Sequence, residues 1–390
     1  MSAVEGMTSA CRSQGDERRR GRVHRRAGRV TLGVLVAALV LVGCAPIGPP
    51  LTRDQEVDQL ISFVEDNRGH DFVTRPTVTF VSDAEFRQHV LAEIAAMKPE
   101  LQVDEVAFKA LGWMAPGDDL FELYRLTFGD AVVGFYNPAT KVLEVRGQDL
   151  TPYRREVIVH ELTHALDDQI FDLSENKGPG VLNEQQLAYL ISVEGDAADI
   201  QHAYVASTSP LDQLSSLAEQ LAFPISPEIT RVPLALLSLS QAPYLQGPRF
   251  VAGLGGPSAV DSLFGNFPTT TEQAWDPAKY LAGEGAETVP VPPATGTVVA
   301  SGTWGRFLTS LIITDGINLD GSVNPATDGW AGDSFVTWTS GNDSCIRIDT
   351  RQDDAGSAAS LYGALDLWAT RSAASVEMLD ATTVRLTRCS

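Results

Sequence analysis

The chain has 390 residues and a formal net charge of −21, with 50 acidic against 29 basic side chains. This excess of negative charge excludes binding to nucleic acid or to an anionic lipid surface through charge complementarity. The chain is longer than a typical domain with a single hydrophobic core, so we expect two domains or one large lobed domain.

The N-terminal stretch has the composition of an export signal. Residues 1–30 are rich in arginine, and residues 31–43 form an apolar run too short to cross a bilayer as a helix. The run ends in Leu41-Val42-Gly43-Cys44, which resembles a bacterial lipobox. The resemblance implies cleavage before Cys44, a lipid anchor on its sulfur and a location on the extracytoplasmic face of the cell membrane. An ordinary signal peptide and an uncleaved membrane anchor are the alternatives.

Composition divides the rest of the chain into four parts. Residues 44–53 begin with prolines and a glycine and are predicted to be a tether. Residues 283–297 hold several glycines and prolines and are predicted to be a linker. We therefore expect one domain over 54–282 and a smaller unit over 298–390.

The first part of the 54–282 domain is predicted to combine helices with a small sheet. Helices are expected over 54–66, 83–97 and 105–114, and strands over 76–81, 131–136 and 141–146, whereas 118–128 is ambiguous. Asn137-Pro138-Ala139-Thr140 separates the last two strands and indicates a hairpin. An exposed edge of such a sheet suits the binding of an extended peptide. The alternative is a hairpin that only packs on the next helix.

The sequence H-E-x-x-H spans His160 to His164, on a predicted helix that Thr151 caps and Pro152 begins. Positions i and i+4 lie one turn apart on the same face of a helix. Two imidazoles there can bind one metal ion, and Glu161 can contact a water on that metal. The alternative is an ordinary helix that carries two histidines and an acidic face.

A catalytic zinc ion usually has three protein ligands and a water, so the motif requires a third ligand. A helix is predicted over 183–205, capped by Asn183, and Glu194 is the one ionisable residue on its predicted inward stripe. Burying a carboxylate there is costly unless it is paired or metal-bound, so we predict Glu194 as the third ligand of one Zn²⁺ per chain. A salt bridge to a buried arginine is the alternative. Weaker candidates on the same helix are Glu184, Asp196, Asp199 and His202.

The remaining elements predict a helical middle and an α+β tail. Helices are expected over 211–222, 228–240, 303–313 and 353–370, a short helix begins near 271–273, and strands cover 334–339, 345–349, 376–379 and 383–387. Cys345 and Cys389 are the two cysteines that remain if Cys11 is cleaved off and Cys44 is lipidated. An exported compartment permits a disulfide, so we predict that they are linked; two free thiols are the alternative.

These motifs resemble those of gluzincin metallopeptidases. A metzincin would need glycine and histidine at the positions of Asp167 and Ile170. More closely, the chain is similar to uncharacterised bacterial envelope proteins with H-E-L-T-H-A-L-x-D-Q, here 160–169, followed by E-G-D-A, here 194–197. The segments Pro-x-x-Thr-Glu-Gln at 268–273 and Asp-Gly-Trp-x-Gly-Asp at 328–333 also resemble that group.

The resemblance implies that Glu161 accepts a proton from a zinc-activated water that attacks a peptide carbonyl. The aspartate that thermolysin-like enzymes place four residues after the ligand glutamate is replaced here by Ala198. The carboxylates expected to orient a ligand histidine are therefore Asp168, Asp196 and Asp199. An oxyanion partner is expected among Tyr136, Tyr189, His202 and Tyr204.

We therefore expect an α+β, zincin-like fold, with a helix-rich catalytic domain, a small N-terminal sheet and a small C-terminal α+β unit. The predicted function is that of an exported, lipid-anchored zinc peptidase with a peptide or protein substrate. The alternative is a non-catalytic zincin-like envelope protein with a binding or structural role. The enzyme is favoured because a protein that only binds has no need of Glu161. A solute-binding lipoprotein would need two similar α/β lobes, which the helix-rich middle does not offer.

Overall fold

The computed structural model describes residues 50–129, 131–173, 180–222, 227–318 and 320–390. The predicted signal peptide, Cys44 and most of the 44–53 tether lie outside these ranges. Within them, no helix is both long enough and apolar enough to cross a membrane.

The described part of the chain has the expected α+β architecture, with 13 α-helices and two small sheets. The helices are α1 (Arg53–Arg68), α2 (Asp83–Ala96), α3 (Lys98–Leu111), α4 (Leu120–Phe128), α5 (Pro152–Phe171), α6 (Glu184–Ser207), α7 (Pro210–Ala222), α8 (Leu234–Leu254), α9 (Pro257–Gly265), α10 (Thr271–Trp275), α11 (Pro277–Ala282), α12 (Arg306–Ile313) and α13 (Ala355–Ser372). The strands are β1 (Val78–Val81), β2 (Gly134–Asn137), β3 (Val142–Arg146), β4 (Thr297–Gly302), β5 (Trp330–Ser340), β6 (Asp343–Gln352), β7 (Ser375–Met378) and β8 (Thr383–Cys389).

The first sheet has the strand order β1-β3-β2 and packs against α5. β3 pairs in parallel with β1 and antiparallel with β2, which confirms the predicted hairpin. Asn137 Oδ1 accepts a hydrogen bond from Ala139 N at 2.9 Å inside the turn. Gly134 allows β2 to approach α5 closely, because a Cβ there would lie 2.6 Å from Val157 Cγ1. β2 is therefore an edge strand of this sheet. It packs closely on α5, the helix that carries the H-E-x-x-H motif.

α5 begins and packs as its sequence predicts. Thr151 Oγ1 accepts from Arg154 N at 3.3 Å, and Pro152 occupies the first helical position. Ile158, Leu162 and other apolar residues of α5 are buried against α1, β3 and Ile200 of α6. The hydrophobic stripe fixes the rotation of α5, so the two histidines on the neighbouring stripe point away from this cluster.

α6 and α8 cross with their backbones close together. Asn183 caps α6 by accepting from Gln186 N at 2.9 Å, as predicted. At the crossing, a Cβ built on Gly195 would lie 2.5 Å from Gly247 C, so the two backbones are in direct contact. Only glycine at both positions permits this crossing.

The second sheet is wholly antiparallel, with the strand order β4-β5-β6-β8-β7. Cys345 on β6 lies opposite Cys389 on β8, and the two form a disulfide, which confirms the predicted bond. Apolar residues of β6, β8, α12 and α13 belong to a core that also includes Leu101 and Phe108 of α3.

The described residues 51–390 form one compact unit, since this core takes residues from both sides of the predicted 283–297 linker. Residues 283–296 contain neither helix nor strand. The boundaries of two separate folding domains stay a prediction.

The structure corrects several predicted elements. The helix predicted over 228–240 is instead a short 3-10 helix, Pro227–Arg231, followed by α8, which continues through Pro243 and Pro248 to Leu254. The helix continues past both prolines because its buried face packs along α6. β4 and α9 were not predicted, since short segments rich in glycine and proline show no clear periodicity.

Candidate metal centre

The two motif histidines lie side by side on α5. Their Nε2 atoms are 3.0 Å apart, and their side chains are only 9% and 11% exposed. The two rings are nearly perpendicular. Both Nε2 atoms therefore point toward one small volume, as required of two ligands at positions i and i+4.

Glu194 of α6 completes this arrangement. Its Oε2 lies 3.0 Å from His160 Nε2 and 3.6 Å from His164 Nε2. One ligand atom from each of the three residues lies within 4.8 Å of the others, so the group can hold a metal ion. The structure thus brings together the three residues that were predicted as ligands.

The charges around Glu194 favour its ionised form. Burial raises the pKa of Glu194, but the charge of His164 and hydrogen bonds to both histidines outweigh burial and hold the pKa well below its usual value. Burial lowers the pKa of His164, whereas Glu194 raises it, and the net result is a raised pKa. The site therefore attracts positive charge, which a metal cation supplies as well as a proton does.

The donor set fits a metal ion by its chemistry. Two imidazole nitrogens and one carboxylate oxygen are the ligand types that zinc prefers in catalytic sites. His160 Nδ1 and His164 Nδ1 are buried without hydrogen-bond partners. Neither ring is thus oriented by a hydrogen bond at its Nδ1 atom.

The three carboxylates that were expected to orient these histidines lie elsewhere. Asp168 Oδ2 accepts from Tyr136 Oη at 2.5 Å and from Lys141 Nζ at 2.7 Å. Asp196 pairs with Arg68, and Asp199 is exposed on the far face of α6. In this structure none of the three makes a hydrogen bond to a ring nitrogen of the metal centre.

A buried arginine is present, but it does not contact Glu194. Arg68 Nε lies 2.9 Å from Asp167 Oδ1 and 2.7 Å from Asp196 Oδ2, and Nη1 lies 2.6 Å from Asp261 Oδ1. This network joins α1, α5, α6 and α9 behind the metal centre. Arg68 is therefore occupied by these three carboxylates and does not form the salt bridge that was the alternative role of Glu194.

Glu161 lies beside the three candidate ligands. Its Oε2 accepts a hydrogen bond from Tyr136 N of β2 at 2.8 Å. Burial raises the pKa of Glu161, and the nearby histidines oppose that rise. A raised pKa makes the carboxylate a better proton acceptor, and the bond to β2 fixes it between the sheet edge and the histidines.

Tyr244 of α8 is the functional candidate that the sequence analysis missed. The charge of Glu194 and burial raise the pKa of Tyr244 well above its usual value, so the Tyr244 hydroxyl lies close to this carboxylate. The Tyr244 ring lies 6.1 Å from that of His160, and 49% of the residue is exposed. Tyr244 therefore lies at the edge of the site, beside His160 and in the same cavity as Glu194.

The four side chains predicted as oxyanion partners have other contacts. Tyr136 donates to Asp168, and Tyr189 Oη donates to Leu173 O at 3.4 Å. Tyr204 stacks edge-on against Phe63, and His202 is exposed on α6.

The segments 268–273 and 328–333, which also carry the family resemblance, pack near the start of α6. Glu184 Oε1 accepts from Thr271 N at 2.5 Å and from Thr271 Oγ1 at 2.9 Å. Asp333 accepts from Trp304 N at 2.7 Å and from Gly305 N at 2.9 Å. These residues connect α6 to the C-terminal sheet and do not reach the histidines, so Glu184 is a structural residue here.

A cavity of about 510 Å³ opens beside the metal centre. Glu194 and Tyr244 line it together with apolar residues of α2, α4, α6 and α8. A cavity of this size is large enough to enclose a side chain of a bound molecule.

Comparison of the chain with protein-family models finds no match, and comparisons with curated proteins and with solved structures find none either.

Proposed function

We propose that this chain is a zinc-dependent peptidase with a zincin-like fold of the gluzincin kind. The observation that carries the proposal is the convergence of His160, His164 and Glu194 on one position, with Glu161 beside it and held by a sheet edge. A protein that only bound a metal ion would not need the buried carboxylate of Glu161 beside the three ligands.

Each residue of the site has a distinct role in peptide hydrolysis. His160, His164 and Glu194 would hold a zinc ion, which lowers the pKa of a water molecule and polarises a carbonyl oxygen. Glu161 takes a proton from the attacking water and delivers it to the leaving amine. Tyr244 donates a hydrogen bond to the oxygen of the former carbonyl, where negative charge develops.

The edge strand β2 offers a place for the substrate backbone. Tyr136 N points away from β3 and toward Glu161, and alternate residues of an antiparallel strand direct their backbone groups to the same side. The backbone groups of Gly134 and Tyr136 therefore face outward. An extended peptide that pairs with this edge passes directly over Glu161.

Export and lipid anchoring are part of the same proposal. The lipobox that ends in Cys44 supports them, and the mature protein would be held on the extracytoplasmic face of the membrane. Fractionation of cells that express wild type or Cys44→Ser tests this: the variant should leave the membrane fraction and lack the mass of the lipid. Identical fractionation and mass would remove the anchor from the proposal.

The catalytic proposal is tested by separating metal binding from hydrolysis. Purified protein should contain about one zinc per chain and cleave members of a peptide library. Glu161→Gln should keep the zinc and lose hydrolysis, whereas His160→Ala and Glu194→Gln should lose zinc affinity by at least tens-fold because a ligand is missing. Tyr244→Phe should keep the zinc and lower kcat about 10²–10³-fold with a smaller change in KM.

Two outcomes would contradict the proposal. Equal turnover by wild type and Glu161→Gln would remove Glu161 from the chemistry. A zinc-loaded wild type that cleaves no peptide would favour the alternative, a non-catalytic zincin-like envelope protein.

A further inference from the structure

The cavity beside the metal centre has apolar walls and a carboxylate at a distance from the zinc ligands. Its described lining includes Met97, Tyr124, Phe128, Leu187 and Leu236, which are large and apolar. Glu93 and Glu100 also line it, and no lysine, arginine or histidine does so among the described residues. The walls thus suit an aliphatic chain, and the charge of the cavity suits a cation.

Glu100 lies at the end of the cavity that is remote from the metal centre. Glu194 and Gln186 both line the cavity from α6 and are eight residues apart, about 12 Å along the helix. Asp104 Oδ2 accepts from Val181 N at 2.7 Å, near the start of α6, and Glu100 precedes Asp104 by one turn of α3. Glu100 is therefore next to the α6 N-terminus, and a side chain that enters at the metal centre must be long to meet it.

One oxygen of the Glu100 carboxylate accepts no hydrogen bond within the protein. Its Oε2 is buried and has no hydrogen-bond partner. A buried oxygen without a donor costs free energy, which a donor supplied by a ligand recovers. Burial raises the pKa of the neighbouring Asp104 to about 7, and the charge of Glu100 adds to that rise.

We propose that the cavity is a specificity subsite for an arginine or lysine side chain adjacent to the scissile bond, with Glu100 receiving the charged group. The methylene stem lies along the apolar walls, and the guanidinium or ammonium donates to Glu100 Oε2. This inference rests on the proposed peptidase function, since the reacting carbonyl must sit at the metal centre while the side chain extends toward Glu100.

Binding of matched peptides tests the subsite without requiring turnover. Zinc-loaded Glu161→Gln protein is titrated with fluorescent peptides that carry arginine or its neutral isostere citrulline at one position at a time. At the position that occupies the subsite, the arginine peptide should bind at least about tenfold more tightly than the citrulline peptide. Lysine should likewise bind more tightly than norleucine.

Glu100→Gln in the same background should reduce the arginine preference to about twofold or less. Glu377→Gln makes the same change of charge on β7, where the side chain is 62% exposed, and should keep the full preference. Equal binding of arginine and citrulline peptides at every position would overturn the subsite. So would an arginine preference that survives Glu100→Gln, or failure of every peptide to bind.

The subsite and the peptidase proposal fail in different experiments. Hydrolysis by wild type without any preference for basic residues overturns only the subsite. Binding that depends on Glu100, in a wild-type protein that hydrolyses nothing, upholds the subsite and overturns the peptidase.

Discussion

Replacing Gly195 with alanine should push apart the two helices that carry Glu194 and Tyr244. A Cβ at position 195 would lie 2.5 Å from Gly247 C and 2.6 Å from Gly247 O, and both are backbone atoms of α8. No side chain can rotate to make room, so the helices themselves must move. The result should be a less stable protein with a distorted metal centre.

The size of the effect follows from two opposing terms. Glycine to alanine in a helix interior stabilises by about 0.5–1 kcal/mol through helix propensity. Overpacking costs about 1–3 kcal/mol, and contact with backbone places this site at the upper end. We expect Gly195→Ala to lower the free energy of unfolding by about 2 kcal/mol, with weaker zinc binding because Glu194 moves away from the histidines.

Gly363→Ala provides the matched control. Gly363 lies on α13, is exposed and has no atom within 4 Å of a built Cβ, so only the propensity gain applies. Urea unfolding of both variants should therefore give changes of opposite sign, about 3 kcal/mol apart. If Gly195→Ala is stabilised as much as Gly363→Ala, α6 and α8 do not cross in backbone contact.

Two further predictions concern stability. Burial raises the pKa of Glu184 from 4.5 to about 8, so the folded protein keeps a proton that the unfolded chain loses, and stability should fall as pH rises from about 4.5 to 8. Glu184→Gln should flatten this slope in thermal unfolding, whereas an equal slope in both proteins would refute the raised pKa. Replacing Cys345 and Cys389 with serine opens a crosslink between residues 44 positions apart and should cost about 2–4 kcal/mol in urea unfolding. Zinc content should stay near normal, and its loss would show that the C-terminal sheet supports the site more directly than the contacts indicate.

The metal ligands were predictable because each depends on local pattern. The helix around His160 and His164 has a capping threonine and a clear apolar stripe. Glu194 was the one charge on the predicted inward stripe of α6, and in the structure it meets the histidines. Periodicity did not predict that Glu184 and Asp196 of the same helix are buried too, because neighbouring elements cover more than one face of α6.

The contacts around the ligands were not predictable because they join distant parts of the chain. Arg68 forms ion pairs with three carboxylates that lie 99 to 193 residues later in the chain, and no local sequence pattern predicts these pairs. Tyr244 was missed for another reason. Pro243 precedes it, and a proline ordinarily argues against a continuing helix, yet α8 tolerates it through packing.

The contact between α3 and the end of the chain has a consequence for the order of folding. The Ala110 carbonyl accepts a hydrogen bond from Arg388, 278 residues later, and β6 also packs on α3. At ordinary rates of synthesis, α3 exists for on the order of tens of seconds before these strands. During that interval Leu101, Phe108 and Leu111, which are buried in the finished fold, lack the sheet that covers them. The last strand to be made is therefore needed to cover one of the first helices, and a chain cut short near its C-terminus would expose an apolar helix face at its beginning.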